Sequence, residues 1–124
     1  MSSTAKADTS KLVDSVVRGI QEVKGKEICT VDLRQLNSAV TDYFVICHGT
    51  SDTQVDAISR AVQKQVYNET GDEPSHKEGM NSSEWILLDY FDVVVHIFKE
   101  ETRQFYNLEK LWADADVKHV EYQI

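Results

Sequence analysis

Proline is almost missing from this chain: one residue in 124, at Pro74. So few helix breakers leave long stretches in which secondary structure can run uninterrupted. Glycine is scarce too, at five residues, which excludes collagen-like and low-complexity architectures. Two cysteines, Cys29 and Cys47, are too few for a disulfide framework, and no Cys-x-x-Cys occurs. Both fall in expected strands, so buried free thiols are the expectation. No apolar run approaches the roughly 20 residues that span a bilayer. The start, Met1 to Lys6, has no hydrophobic segment behind it, so neither a signal peptide nor a membrane contact is expected, and the expected location is cytoplasmic. Positive charge is also short: 13 Lys and Arg against 21 Asp and Glu, a net charge of −8. That balance disfavours direct nucleic-acid binding, which needs cations to replace counterions. It suits a basic protein partner.

What the chain does have is a concentrated apolar stretch from Glu84 to Phe98. Trp85-Ile86-Leu87-Leu88 and Val93 to Phe98 are β-branched and aromatic runs, separated by Asp89-Tyr90-Phe91-Asp92. Such runs favour a pleated, buried surface, and the break is short enough for a hairpin. The second run is apolar on both faces, so it is expected to be a central strand covered on both sides.

The other elements follow in order. Met1 to Thr9 is small and polar and is expected to fray. Ser10 is placed as the cap of a first helix whose stripe is Leu12, Val13, Val16, Val17, Ile20 and Val23, closed by Gly25. Glu27 to Leu33 reads as a strand, with Cys29, Val31 and Leu33 on one face. Tyr43 to Cys47 has no polar face and reads as a second, central strand. One of Thr50, Ser51 or Asp52 caps a helix carrying Val55, Ile58, Val62 and Val66, which ends near Gly71. Ser75 to Glu78 is a weak edge-strand candidate. A last helix opens at Glu100-Glu101-Thr102, with Phe105, Leu108 and Trp112 on its buried face. The expectation is an α/β fold: a single compact domain over residues 10–113, a mixed sheet of about five strands, and helices packed on it. Residues 1–9 are a disordered N-terminus in this reading, and 114–124 are a tail that adds at most an extended segment.

Chemistry is harder to find. No pair among His48, His76, His96, His119 and the cysteines has zinc-site spacing, so no metal is expected. Gly49-Thr50-Ser51 before a helix could offer N–H groups to an anion, but it matches neither phosphate-binding fingerprint. Cys47 and His48 are neighbours on a strand, so their side chains diverge and form no nucleophile–base pair. Asp89 and Asp92 at the turn are expected to bond their own backbone. No enzyme and no cofactor are expected. A recognition surface remains, since Trp85, Tyr90, Phe91, Tyr106 and Trp112 concentrate the anchor types of protein interfaces in one half of the chain. At the hairpin tip, Tyr90 and Phe91 are the hardest to assign to a core.

Several strings then carry a resemblance: Thr41 to Cys47, Gly49-Thr50-Ser51, Gln54-Val55-x-Ala57-Ile58, Glu78-Gly79, Trp85 to Asp89, Asp92 to Phe98, and Leu108 to Trp112. In this order they resemble the ribosomal silencing factor family (RsfS, also called Iojap or YbeB), over roughly Leu12 to Ala113. The resemblance implies a nucleotidyltransferase-like α/β shape without its catalytic Asp-x-Asp, and a homodimer. It implies binding to the large ribosomal subunit through that subunit's ribosomal protein fourteen, which blocks joining with the small subunit and represses translation when nutrients are scarce. Relatives in organelles imply an alternative role in large-subunit assembly; a nucleotide-binding enzyme is the other alternative. The partner-binding residues implied are Glu78, Trp85, Leu88, Asp89 and Tyr90. One position departs from the family pattern. Phe91 stands where glycine is common, and a phenylalanine at positive φ is strained, so a different turn type is expected.

Overall fold

The computed structural model describes residues 2–36, 41–107, 110 and 115–120. In chain order these form α1 (Ser2–Glu22), β1 (Lys26–Asp32), β2 (Tyr43–Gly49), α2 (Asp52–Thr70), β3 (His76–Glu78), β4 (Trp85–Asp89), β5 (Val93–Lys99), α3 (Glu100–Tyr106) and β6 (Asp116–His119). The strands make one mixed sheet of six, in the order β3-β4-β5-β2-β1-β6. The expected α/β architecture is present with one strand more than expected. The extra strand is Asp116–His119, which pairs antiparallel with β1, Val31 opposite Val117. All neighbours are antiparallel except the central pair: β2 runs parallel to β5, from Tyr43 opposite Val93 to Gly49 opposite Lys99. Both strands of that pair read as central from their lack of a polar face, and both are.

One face of the sheet carries α1 and α2. Leu12, Val16 and Ile20 of α1 and Val55, Ile58, Val62 and Val66 of α2 meet Val45, Val93, Val95 and Ile97 in an almost wholly aliphatic core. The two helices cross closely at Gly19, where an added Cβ would stand 2.8 Å from Val62 Cα. Only glycine fits that approach. Ser51 caps α2 by accepting the Gln54 N–H at 3.2 Å, and Gly71 ends it at φ 78, both as the sequence suggests.

Three expectations need correcting. Helix α1 begins at Ser2, so Ser10 lies inside it rather than capping it; no breaker stands before Ser10 to end the helix there. At its other end the left-handed residue is Lys24 (φ 61), not Gly25. Lys24 N–H donates to Gln21 O and Gly25 N–H to Ile20 O, the pair of bonds that closes a helix C-terminus. Phe105, expected in the buried stripe of the last helix, is 81% exposed. Helix α3 runs from Glu100 to Tyr106 and is capped by left-handed Asn107 (φ 48), so Phe105 falls in its last turn. Leu108 and Trp112, the other two members of that stripe, lie outside the described residues.

Candidate functional site

The second face of the sheet has a different chemistry. Register places its side chains in three rows. His76, Asp89, Val94, Phe44, Val31 and Val117 form one, and Glu78, Leu87, His96, Ile46, Cys29 and His119 the next. Trp85, Phe98 and His48 form the third. Among the described residues, α3 is the only helix packed on this side. Phe44, Trp85 and Leu87 are left half-buried, and Tyr106 is 47% exposed.

Aromatic rings dominate the rows. The Trp85 ring lies 4.8 Å from Phe98 and 4.8 Å from Tyr106, and Phe44 meets His96 edge-on at 4.6 Å. Trp85 Nε1–H donates to His96 Nδ1 at 3.1 Å. That bond puts the His96 proton on Nε2, which is buried and has no hydrogen-bond partner among the described residues. Burial holds the imidazole neutral, with its pKa lowered to about 4.

At the end of the face where α3 begins, a second polar pair is buried. Arg103 Nη1 donates to Glu27 O at 2.7 Å and meets His48 Nδ1 at 3.0 Å. Because the guanidinium only donates, His48 Nδ1 is the acceptor. Cys47 points the other way, into the aliphatic core, where burial pushes its thiol up to about 12. The divergence of Cys47 and His48 read from strand alternation is therefore observed. Nearby, Gln54 Oε1 and Ser51 Oγ take the N–H groups of Thr50 and Gln54. Asp52 adds a carboxylate, paired with Lys99 at 3.0 Å. An α2 N-terminus capped by its own side chains and fronted by a carboxylate is a poor cradle for phosphate. Among the described residues, no group of three or more His, Cys, Asp or Glu could hold a metal ion, and no helix is long and apolar enough to cross a membrane.

The hairpin tip closes the opposite end. Phe91 adopts φ 72 after all, which corrects the expectation of another turn type. Asp92 N–H donates back to Tyr90 O at 2.9 Å, making a three-residue turn with Phe91 at its centre. The strained residue is held from every side. Asp89 Oδ1 accepts the Phe91 N–H at 2.8 Å, and Thr41 Oγ1 donates to Phe91 O at 2.7 Å. Asp42 and Tyr43 N–H groups both donate to Asp92 O. Asp89 thus bonds its own backbone, as turn aspartates do.

The five expected contact residues are split by this arrangement. Glu78, Trp85 and Asp89 share the aromatic face; Glu78 lies opposite Leu87 on the exposed edge strand. Leu88 and Tyr90 lie on the helix-covered side, fully buried and 6% exposed respectively. Burial, with the carboxylates of Asp72 and Glu73 nearby, pushes the Tyr90 hydroxyl pKa up. Leu87 and Phe44 join the face in their place. Period-two alternation from Trp85 was enough to find Leu87. Nothing in the sequence placed Arg103 against His48, since α3 and β2 meet only in three dimensions.

Comparison with known proteins returns one answer. The family described as "Ribosomal silencing factor during starvation" matches residues 6–123. A relative from Bacillus subtilis (strain 168), the ribosomal silencing factor RsfS, is 42% identical over 99 residues, covering 80% of this chain and 82% of its own. A mouse relative, mitochondrial assembly of ribosomal large subunit protein 1, is 31% identical over 102 residues, covering 81% of this chain and 44% of its own length. A crystal structure of a Chromobacterium violaceum protein superposes with a TM-score of 0.78 at 29% identity, covering 93% of this chain and 92% of its own.

Proposed function

Because the chain belongs to the family of ribosomal silencing factors, we propose that it binds the large ribosomal subunit and covers the surface on which the small subunit docks. The action is occlusion and requires no bond to be made or broken. The observation that carries this reading is the aromatic face: Trp85, Leu87 and Phe44 half-buried around His96, with Glu78 and Asp89 at the rim. Aromatic anchors ringed by acidic residues suit a basic protein surface better than a phosphate backbone. Ribosomal protein fourteen of the large subunit is the proposed target. Of the five residues expected to make contact, Glu78, Trp85 and Asp89 do so directly, and Leu88 and Tyr90 hold β4 from beneath. The protein acts as a homodimer in this reading, and sedimentation equilibrium of the wild type reads that state.

Subunit joining tests the proposal. Large subunits are preincubated with the protein, small subunits are added, and the mixture is sedimented at fixed salt and magnesium. The expected result is fewer joined particles, with the protein co-sedimenting on large subunits. Trp85→Ala should stay folded and lose about 2 kcal/mol of binding, about thirtyfold. A folded Trp85→Ala variant that binds like wild type removes the aromatic face from the interface. The name of the mouse relative favours a second reading, in which the same face holds immature large subunits during assembly. Sedimentation of cell extracts separates the two: an assembly factor rides on precursor particles, a silencing factor on finished ones.

A further inference from the structure

Phe91 combines two features that do not benefit the fold. Its φ of 72 is a conformation that glycine adopts freely and a bulky side chain does not. Its ring is 74% exposed, so the strain is not offset by burial. The turn itself is maintained by backbone and by Asp89 and Thr41, through Phe91 N–H, Phe91 O and Asp92 O, none of which involves the ring. Glycine would make the same bonds. A ring held out at a strained position by a tightly fixed turn has its use outside the fold.

The surroundings say what it meets. Asp89 accepts the Phe91 N–H, Asp92 follows it and is exposed, and Asp42 is tied to Asp92 O at 3.0 Å. An exposed ring on a turn that holds the Asp89 carboxylate at its base and the exposed, acidic Asp92 beside it repels phosphate and attracts a cation that stacks on the ring while pairing with an acid; a guanidinium does both. The molecule already uses this arrangement internally, with the Arg34 guanidinium 5.1 Å from the centre of the Tyr43 ring and paired with Asp32 at 2.7 Å. We propose that Phe91 is an anchor for an arginine of a basic protein segment on the large subunit, extending the aromatic face to the hairpin tip. This rests on the ribosome-binding reading above.

The test pairs thermal unfolding with binding to purified large subunits at fixed salt. Phe91→Gly is expected to keep or raise the melting temperature and to weaken binding about tenfold. Phe91→Trp is expected to bind as wild type does, and Phe91→Leu to lose most of the tenfold, because it keeps bulk without a π face. A Phe91→Gly variant with wild-type affinity overturns the anchor while leaving the ribosome-binding reading intact. A wild-type protein that does not bind large subunits overturns both. Full affinity in Phe91→Leu overturns the arginine contact. Binding to deproteinised ribosomal RNA with the same dependence on Phe91 replaces the protein partner with nucleic acid and overturns the proposal as well.

Discussion

The two faces of the sheet use the same strands for opposite purposes. Beneath α1 and α2 the side chains are mostly aliphatic and packed against each other, with Tyr90 as the aromatic exception, and a helix crossing is tight enough to demand Gly19. On the other side stand rings, two buried histidines and a buried arginine, with half-buried aromatics at the surface. Aliphatic packing stabilises the fold by removing area from water and asks nothing further. Buried polar groups cost free energy unless partnered, and here Arg103 meets His48 and Glu27 O while Trp85 meets His96. The aliphatic core lies on the first face, and the proposed contact lies on the second.

Substitutions can break that division. The largest effect belongs to the helix-covered side: Ile58→Ala, at a fully buried position of α2 in the aliphatic core, should cost about 3 kcal/mol in chemical denaturation. Large-subunit affinity per folded molecule should not change; a matching loss of affinity in fully folded samples would mean that the faces are coupled.

His96 comes next and sharpens the contrast. Its pKa is about 4 in the fold against 6.5 when exposed. Between those values the unfolded chain takes a proton that the folded chain refuses, so stability is complete above pH 6.5 and falls as the pH drops towards 4. The loss is roughly 2 to 3 kcal/mol. His96→Leu should flatten the stability curve across that window while weakening binding. Glu69 offers an internal control on the outer side of the helices. The Arg18 guanidinium and then the Ser15 hydroxyl hold its carboxyl down to about 2, from 4.5. Its contribution is present above pH 4.5 and is lost only as the pH falls towards 2, so below pH 4 the acid titrations of wild type and His96→Leu should run parallel.

The smallest effect lies at the hairpin tip. Thr41→Val keeps the shape of a buried side chain and removes the donor to Phe91 O, which should cost about 1 kcal/mol. If Phe91 is an anchor, this variant should also weaken large-subunit binding slightly, since the ring is then less firmly aimed. Unchanged affinity would separate the turn's rigidity from its use.

Much of this was legible in the sequence because it is local. The stripe Val55, Ile58, Val62 and Val66 dictates the buried face of α2, and Ser51 and Gly71 mark its ends. Unbroken apolar runs dictate that β2 and β5 are interior. What escaped depends on distant parts of the chain. Asp116–His119 carries almost no apolar signal, and becomes a strand because β1 has a free edge to pair. Phe91 accepts a left-handed backbone because Thr41, Asp42 and Tyr43, some fifty residues earlier, hold the turn in place. Leu88 stood among the expected contacts by likeness of sequence, although alternation from Trp85 already put it on the other face.

The central pair has a consequence for how the molecule assembles. Every other strand joins its neighbour through an antiparallel ladder, whereas β2 and β5 meet across fifty residues of chain. Apart from β6, which joins β1 across a still longer stretch with Val31 opposite Val117, the sheet is two pieces, β3-β4-β5 and β1-β2, sewn along one seam. Joining them requires closure of a long loop before any ladder bond is gained, so the seam is where folding slows. The bonds from Thr41, Asp42 and Tyr43 to the hairpin turn sit at one end of that seam. They fasten that end of it, and a nascent chain has both pieces to join only after β5 has left the ribosome that makes it.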